Sequence, residues 1–315
     1  MSINTSPYPV PTATHLLRQQ YLLAFASQQE IMHYVKTRVA DEGKNHLEEV
    51  LDKWRKLQPQ VEQLIQNEQN YPDTIQRTAI PEQYQPRLEN YISDPLFQQS
   101  FSGFPISIEI VEIDKLVAAQ RTVNLDHIER LIASSPSTPT FDDLLTLCVS
   151  PRQDIDVIPH LEVAPNQHIF TSQNPGLRLL GSFVKKLTDE DSLMSSSLGG
   201  LPATAIITYI GYGCPTMNAF RVNNRLILNN GFHRVYALRS MGVTELPMVI
   251  QNINNPQLEL PPTIADLPTN YLINASRPAL VKDFFEPEFA ITLQVHELVK
   301  LVGVVINSAQ HGVPL

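Results

Sequence analysis

Cysteine is nearly missing from this chain: Cys148 and Cys214 are the only two in 315 residues. They form no CxxC pair and have no metal-like spacing, so a disulfide framework and a thiolate metal site are both excluded, and reduced or buried thiols are expected. Long apolar runs are lacking as well, and none reaches membrane-spanning length. The stretch from Met1 to Pro11 has no basic region followed by an apolar run, so no signal peptide is expected. Positive charge is in deficit, with 23 Lys and Arg against 32 Asp and Glu and a formal net charge of −9. Extended DNA contact needs cations to replace the counterions around the phosphates, so DNA binding or cleavage is disfavoured. The deficit weighs much less against one nucleotide held by a few local groups. A soluble, cytoplasmic protein with no membrane partner is the expectation.

Proline, by contrast, is plentiful at 25 residues, falling mainly between segments, and apolar residues make up 43%, enough for a packed core. The length fits two modest domains, or one domain with large additions. The stretch Arg225-Leu-Ile-Leu-Asn-Asn-Gly-Phe-His-Arg-Val-Tyr-Ala-Leu-Arg-Ser-Met-Gly242 is the most informative. Leu226 to Leu228 read as a short strand that breaks at Asn229-Asn230-Gly231. A helix follows, with Val235, Leu238 and Met241 at helical spacing. Gly231 permits a sharp turn and close backbone approach. The free amides and dipole at a helix start favour an anion there. A histidine such as His233 can titrate near neutral pH, and Arg234 carries a charged fork suited to phosphate oxygens. A phosphate cradle and a plain structural turn are both open on this pattern. Asn229 and Asn230 serve either as turn formers or as amide donors to an oxyanion.

Along the chain, Leu16, Leu17, Tyr21, Ala24 and Phe25 fit one amphipathic helix. The run from Glu48 to Ile65 suggests another, interrupted near Pro59. Residues 72–100 read as an irregular connection. Phe104 to Ile113 alternates as a strand, and a helix over Asp126 to Ala133 follows. Phe141 to Val149 and Leu177 to Leu187 are expected as helices, and Ser195 to Gly200 as a mobile loop. Ala205 to Tyr209 and Met217 to Phe220 look strand-like, with a hairpin turn at Asn223-Asn224. A last helix is expected over residues 288–306. The acidic and imidazole groups Asp154, Asp156, His160, Glu162 and His168 lie close together, but their spacing matches no metal motif and no metal is expected.

The Gly231-Phe232-His233-Arg234 signature resembles the ParB/sulfiredoxin-like superfamily, whose members carry Gly-x-His-Arg or Gly-Glu-Arg-Arg at a strand-to-helix turn that binds nucleotide phosphates. Val243 to Ile250 is similar to the family strand after that helix. Val111 to Arg121 looks like its opening strand and Gln-Arg box. The match spans roughly residues 104–133 and 203–251. It implies an α+β fold, a small mixed sheet flanked by helices, with added N-terminal and C-terminal helical segments. The domains would be an N-terminal helical region (1–100), a core (101–253) with an insertion at about 134–200, and a C-terminal helical extension (254–315).

The resemblance assigns phosphate contact to Asn230, Gly231, His233 and Arg234, and to Gln120 and Arg121 from the opposite side. Phe232 replaces the reactive cysteine of sulfiredoxins, which removes sulfinic-acid repair. The acidic member of the partition-protein doublet is also absent, and no helix-turn-helix follows. Glu109, Glu112 and Asp114 are the nearest candidate bases, and no catalytic residue is assigned. The leading expectation is a protein that binds a nucleotide or another phosphorylated small molecule. If it is an enzyme, it is a phosphotransferase or nucleotide hydrolase using a nucleoside triphosphate with magnesium. The alternative is a non-catalytic interaction scaffold, meeting a protein partner through the N-terminal helices or the insertion.

Overall fold

The computed structural model describes residues 15–40, 46–152, 154, 157–174, 176–188 and 202–310. The expected leader, Asp156 and the Ser195 to Gly200 loop lie outside the described residues. The fold is mixed α+β. In chain order it runs β1 (Leu16–Leu22), α1 (Gln28–Arg38), α2 (Leu47–Asn67), β2 (Arg77–Ala79), α3 (Gln85–Ser93) and α4 (Pro95–Ser100). Then come β3 (Ile106–Glu112), β4 (Val117–Ala118), β5 (Thr122–Asn124), α5 (Leu125–Ser134) and α6 (Phe141–Val149). Strands β6 (His160–Ala164), β7 (Gln167–Ser172), β8 (Arg178–Lys186) and β9 (Thr204–Gly211) follow. Next are β10 (Asn218–Val222), β11 (Arg225–Asn230), α7 (Phe232–Ser240), β12 (Glu245–Asn252) and α8 (Pro256–Glu259). The chain continues with β13 (Thr263–Ile264), β14 (Leu267–Pro268), α9 (Thr269–Asn274), β15 (Ala290–His296) and β16 (Lys300–Val305).

Two compact units share this chain. The larger comprises residues 14–153 and 214–297, and its main sheet has the order β2-β3-β12-β10-β11-β4. Strands β3 and β12 run antiparallel, β12 and β10 parallel, β10 and β11 antiparallel, and β11 and β4 parallel. Central strands covered on both faces need continuous apolar runs rather than alternation. Leu226 to Leu228 and Met248 to Ile250 meet that need, all at 0% exposure. Helix α6 packs against β12, and α5 against α7. The buried Arg225 ties the sheet to α9: it forks onto Asp73 at 2.9 and 3.0 Å and donates to the carbonyls of Leu272, Ile273 and Ala275.

A second sheet in this unit, β15-β1-β5, corrects two expectations. Residues 16–22 are a strand, not part of a helix, because β1 is bonded along both edges, to β15 and to β5. The buried residues Tyr21, Leu22, Leu23 and Ala24 are consecutive, and such two-sided burial mimics helical spacing. Residues 290–296 are likewise a strand, and the alternation Ile291, Leu293, Val295 carries the period of two that the helical reading overlooked. The helix expected over residues 288–306 is thus two strands, β15 and β16. Helix α2 runs through Pro59 unbroken. An interior proline costs about 3 kcal/mol, whereas burying Val50, Leu51, Leu57 and Val61 is worth about 1.5–3 kcal/mol each. Residues 72–100, expected to be irregular, contain β2, α3 and α4.

The smaller unit comprises residues 154–213 and 298–315 together with 1–13, and its described part is all β. It holds the antiparallel sheet β16-β7-β6 and the two-stranded ribbon β8-β9. The helix expected over Leu177 to Leu187 is strand β8, paired with β9 from Arg178↔Gly211 to Lys186↔Thr204. Its length alone did not separate a helix from a strand. No helix among the described residues is long and apolar enough to cross a membrane.

Candidate functional site

The strand–turn–helix expected around Gly231 is present. Strand β11 ends at Asn230, Gly231 caps α7 with φ 102° and ψ 17°, and the amide of Val235 closes the first turn onto the Gly231 carbonyl at 2.9 Å. Gly231 is needed here for two reasons. Its φ lies in the left-handed region that side chains disfavour, and a Cβ would stand 2.5 Å from Cγ of Met217. Met217 is itself fully buried. The corner at which a ligand was expected is packed against a methionine.

The two side chains at the head of the helix turn inward. Nε2 of His233 accepts from the Asn124 amide at 3.2 Å, which leaves its proton on Nδ1. Its ring lies edge-on to His127 at 5.1 Å. Burial, with His127 adding to it, lowers the imidazole pKa to about 4, so His233 is neutral near pH 7. Arg234 donates to the Leu147 carbonyl at 2.8 Å and to the Pro215 carbonyl. Burial pulls its pKa below the ordinary value. Asn230 donates to the Thr216 carbonyl at 3.0 Å and, more weakly, to that of Pro215 at 3.5 Å. Asn230 and Arg234 therefore converge on the Pro215–Thr216 backbone, and together they pin the segment before β10.

Gln120 and Arg121 do not join them. Gln120 donates to the nearby Thr122 carbonyl at 2.7 Å. Arg121 is ion-paired with Glu30 and donates to the Phe25 carbonyl at 2.8 Å. The candidate bases are engaged as well: Glu109 with Arg77 at 3.1 Å, Glu112 with Lys115 at 3.0 Å, and Asp114 with Arg239 at 2.6 Å. Sequence reading missed the amide cluster beside the turn. There Asn229 and Gln251 both donate to Oδ1 of the buried Asn218, at 2.8 and 2.9 Å, while Asn218 donates to the Thr216 carbonyl. The signal was Asn218 and Gln251, polar residues flanking the apolar runs 219–220 and 246–250. Such residues must be bonded when buried.

Elsewhere, His160 and His168 meet across β6 and β7, with Nε2 and Nδ1 3.2 Å apart. Glu162 stands opposite His168 in register. No group of three or more His, Cys, Asp or Glu among the described residues is arranged to hold a metal ion.

These features define an α+β protein whose strand–turn–helix corner is closed by its own side chains. The chain matches no protein-family model, no curated protein and no solved structure.

Proposed function

We propose that this chain is a non-catalytic interaction protein that binds its partner through the smaller, all-β unit. The observation that carries this is where its apolar surface lies. Apart from Leu16, Ile92 and Leu258, every large apolar side chain exposed among the described residues belongs to that unit, in which Ile169 and Leu177 are the only buried apolar side chains among the described residues. On the β8-β9 ribbon, Val184 is 69% and Ile206 59% exposed, directly opposite each other on one face. Phe183 and Tyr209 are exposed on the other face, with rings 5.7 Å apart. A two-stranded ribbon is marginal in water on its own, and apolar surface of this kind marks a contact face. Pairing with an apolar strand or sheet of a partner protein would bury it.

The geometry of the Gly231 turn supports the same reading, because His233, Arg234, Asn230, Gln120 and Arg121 are all engaged within the chain. A nucleoside triphosphate, magnesium or another phosphorylated ligand is not required. A cytoplasmic setting fits the free thiols Cys148 and Cys214.

Calorimetric titration with ATP, CTP and GTP, with and without magnesium, is expected to give no saturable heat. Cross-linking from position 209 in cells should yield one discrete protein adduct that is lost in Val184→Asp/Ile206→Asp. Saturable nucleotide binding that Arg234→Ala abolishes would restore the phosphate-site reading in its place.

A further inference from the structure

The sheet β16-β7-β6 has two outer edges, and they differ. The β6 edge is blunted. Its register with β7 shifts between Glu162 and Ala164, Glu162 is charged in mid-strand, and Pro159 and Pro165 flank the strand. Bulges, charges and prolines of this kind discourage a further strand. The β16 edge carries none of these devices beyond Lys300 at its start. From Lys300 to Val305 the register with β7 is unbroken, and the strand holds no proline. Among the described residues no strand is bonded to that outer edge.

Alternation shows which backbone groups face outward. The Ile306 amide donates to the Asn166 carbonyl at 2.9 Å, on the side of β7. Residues two apart along an antiparallel strand turn their N–H and C=O the same way. Val304, Val302 and Lys300 therefore bond β7, opposite His168, Phe170 and Ser172. On β7 the Thr171 amide turns the other way, to the Pro159 carbonyl, which fits this register. Leu301, Gly303 and Val305 thus point their N–H and C=O away from β7. Centred on Gly303, the run Leu301-Val-Gly-Val-Val305 reads almost alike in both directions. Such a run is complementary to itself in antiparallel pairing, as a two-fold interface requires.

We propose that β16 pairs antiparallel with β16 of a second copy of this chain, about a two-fold axis at Gly303, and joins their two sheets into one. In that register Gly303 meets Gly303 and Leu301 meets Val305 in hydrogen-bonded pairs, so every outward N–H and C=O of the run finds a partner. Val302 meets Val304 in the closer, non-hydrogen-bonded pairs, and apolar cross-strand pairs stabilise a sheet. Glycine at the centre lets the two backbones approach with no side chain between them. The two Lys300 residues stand about 20 Å apart along the strands, beyond a screening length of about 8 Å, so they repel little. Because β6 is blunted, assembly closes at two copies rather than running on as a filament. The contact is separate from the β8-β9 ribbon and uses none of it.

An edge of six residues buries less than the roughly 1,200 Å² of a stable interface, so a weak dimer with a Kd of about 10–100 μM is expected. Sedimentation velocity of the full chain from about 1 to 300 μM should show monomer passing into dimer, with no larger species. Gly303→Pro removes an outward N–H and no bond to β7. Val305→Lys, at a side chain 46% exposed, sets a charge against Leu301 of the second copy. Each should weaken the dimer about tenfold or more, with circular dichroism like the parent's. Hydrogen exchange of the parent gives a readout that needs no variant. The Leu301, Gly303 and Val305 amides should be protected at high concentration and exchange freely on dilution, while those of Val302 and Val304 stay protected at both. A parent that remains monomeric at about 300 μM overturns the proposal, as does a dimer that both variants retain or an open-ended assembly. Loss of the dimer in Val184→Asp/Ile206→Asp overturns it too, by moving the contact to the ribbon.

Discussion

Gly231→Ala puts the packed-corner reading at risk most directly. The substitution forces a side chain into φ 102°, for which the left-handed penalty is about 1–2 kcal/mol. It also drives a methyl group to 2.5 Å from Cγ and 3.1 Å from Cβ of Met217, which is fully buried with nowhere open to retreat. Overpacking of that kind costs about 1–3 kcal/mol. The expected loss of stability is therefore about 2–5 kcal/mol, read from urea denaturation at fixed slope. A double-mutant cycle separates the two parts. Met217→Ala alone loses buried contacts and opens a cavity, at about 2–5 kcal/mol. In its presence Gly231→Ala should recover the steric part and retain only the backbone part. If Gly231→Ala loses less than about 1 kcal/mol, or costs the same with and without Met217, the methionine does not fill the corner.

Three further outcomes follow from buried polar groups. The depressed His233 pKa of about 4, against an ordinary 6.5, means that the unfolded chain takes up the proton more readily. Its contribution is present above about pH 6.5 and lost as pH falls toward 4, by up to about 3 kcal/mol; His127 shifts in the same direction. Denaturation curves of His233→Gln should be flatter across that window than the parent's, and parallel curves would count against a buried neutral imidazole. Arg277 is fully buried and bound to Asp283 at 2.6 Å and Glu68 at 2.8 Å, so Arg277→Ala strands the Asp283 charge. A loss of about 3–5 kcal/mol in chemical denaturation is expected. Asn124 caps α5 by accepting from the His127 amide at 3.0 Å, and Asn124→Ala should cost about 1 kcal/mol in the same assay.

How far the sequence announced this depended on whether an element carries a local signal. Helices α5 and α6 and strands β3, β9, β10 and β11 lie where periodicity and the Gly231 break put them, because each carries a local signal. Strand β1 was misread because its neighbours in space come from residues 122–124 and 290–296, which local spacing does not encode. At the turn, the backbone shape was legible but the direction of the side chains was not. Nothing in Gly-Phe-His-Arg foretells that Met217 fills the space before the glycine, or that Leu147 and Pro215 offer carbonyls to Arg234.

The pairing of β1 with β15 sets Leu16 opposite His296 and Leu22 opposite Ala290. During synthesis the opening strand leaves the ribosome with its outer edge unfilled, and it waits while more than 260 further residues are translated. Closing so long a loop makes this sheet a late and slow event. Until then Leu17 and Tyr21 stay within reach of other nascent chains, so this protein's yield in a cell should depend on how well that edge is shielded before translation ends.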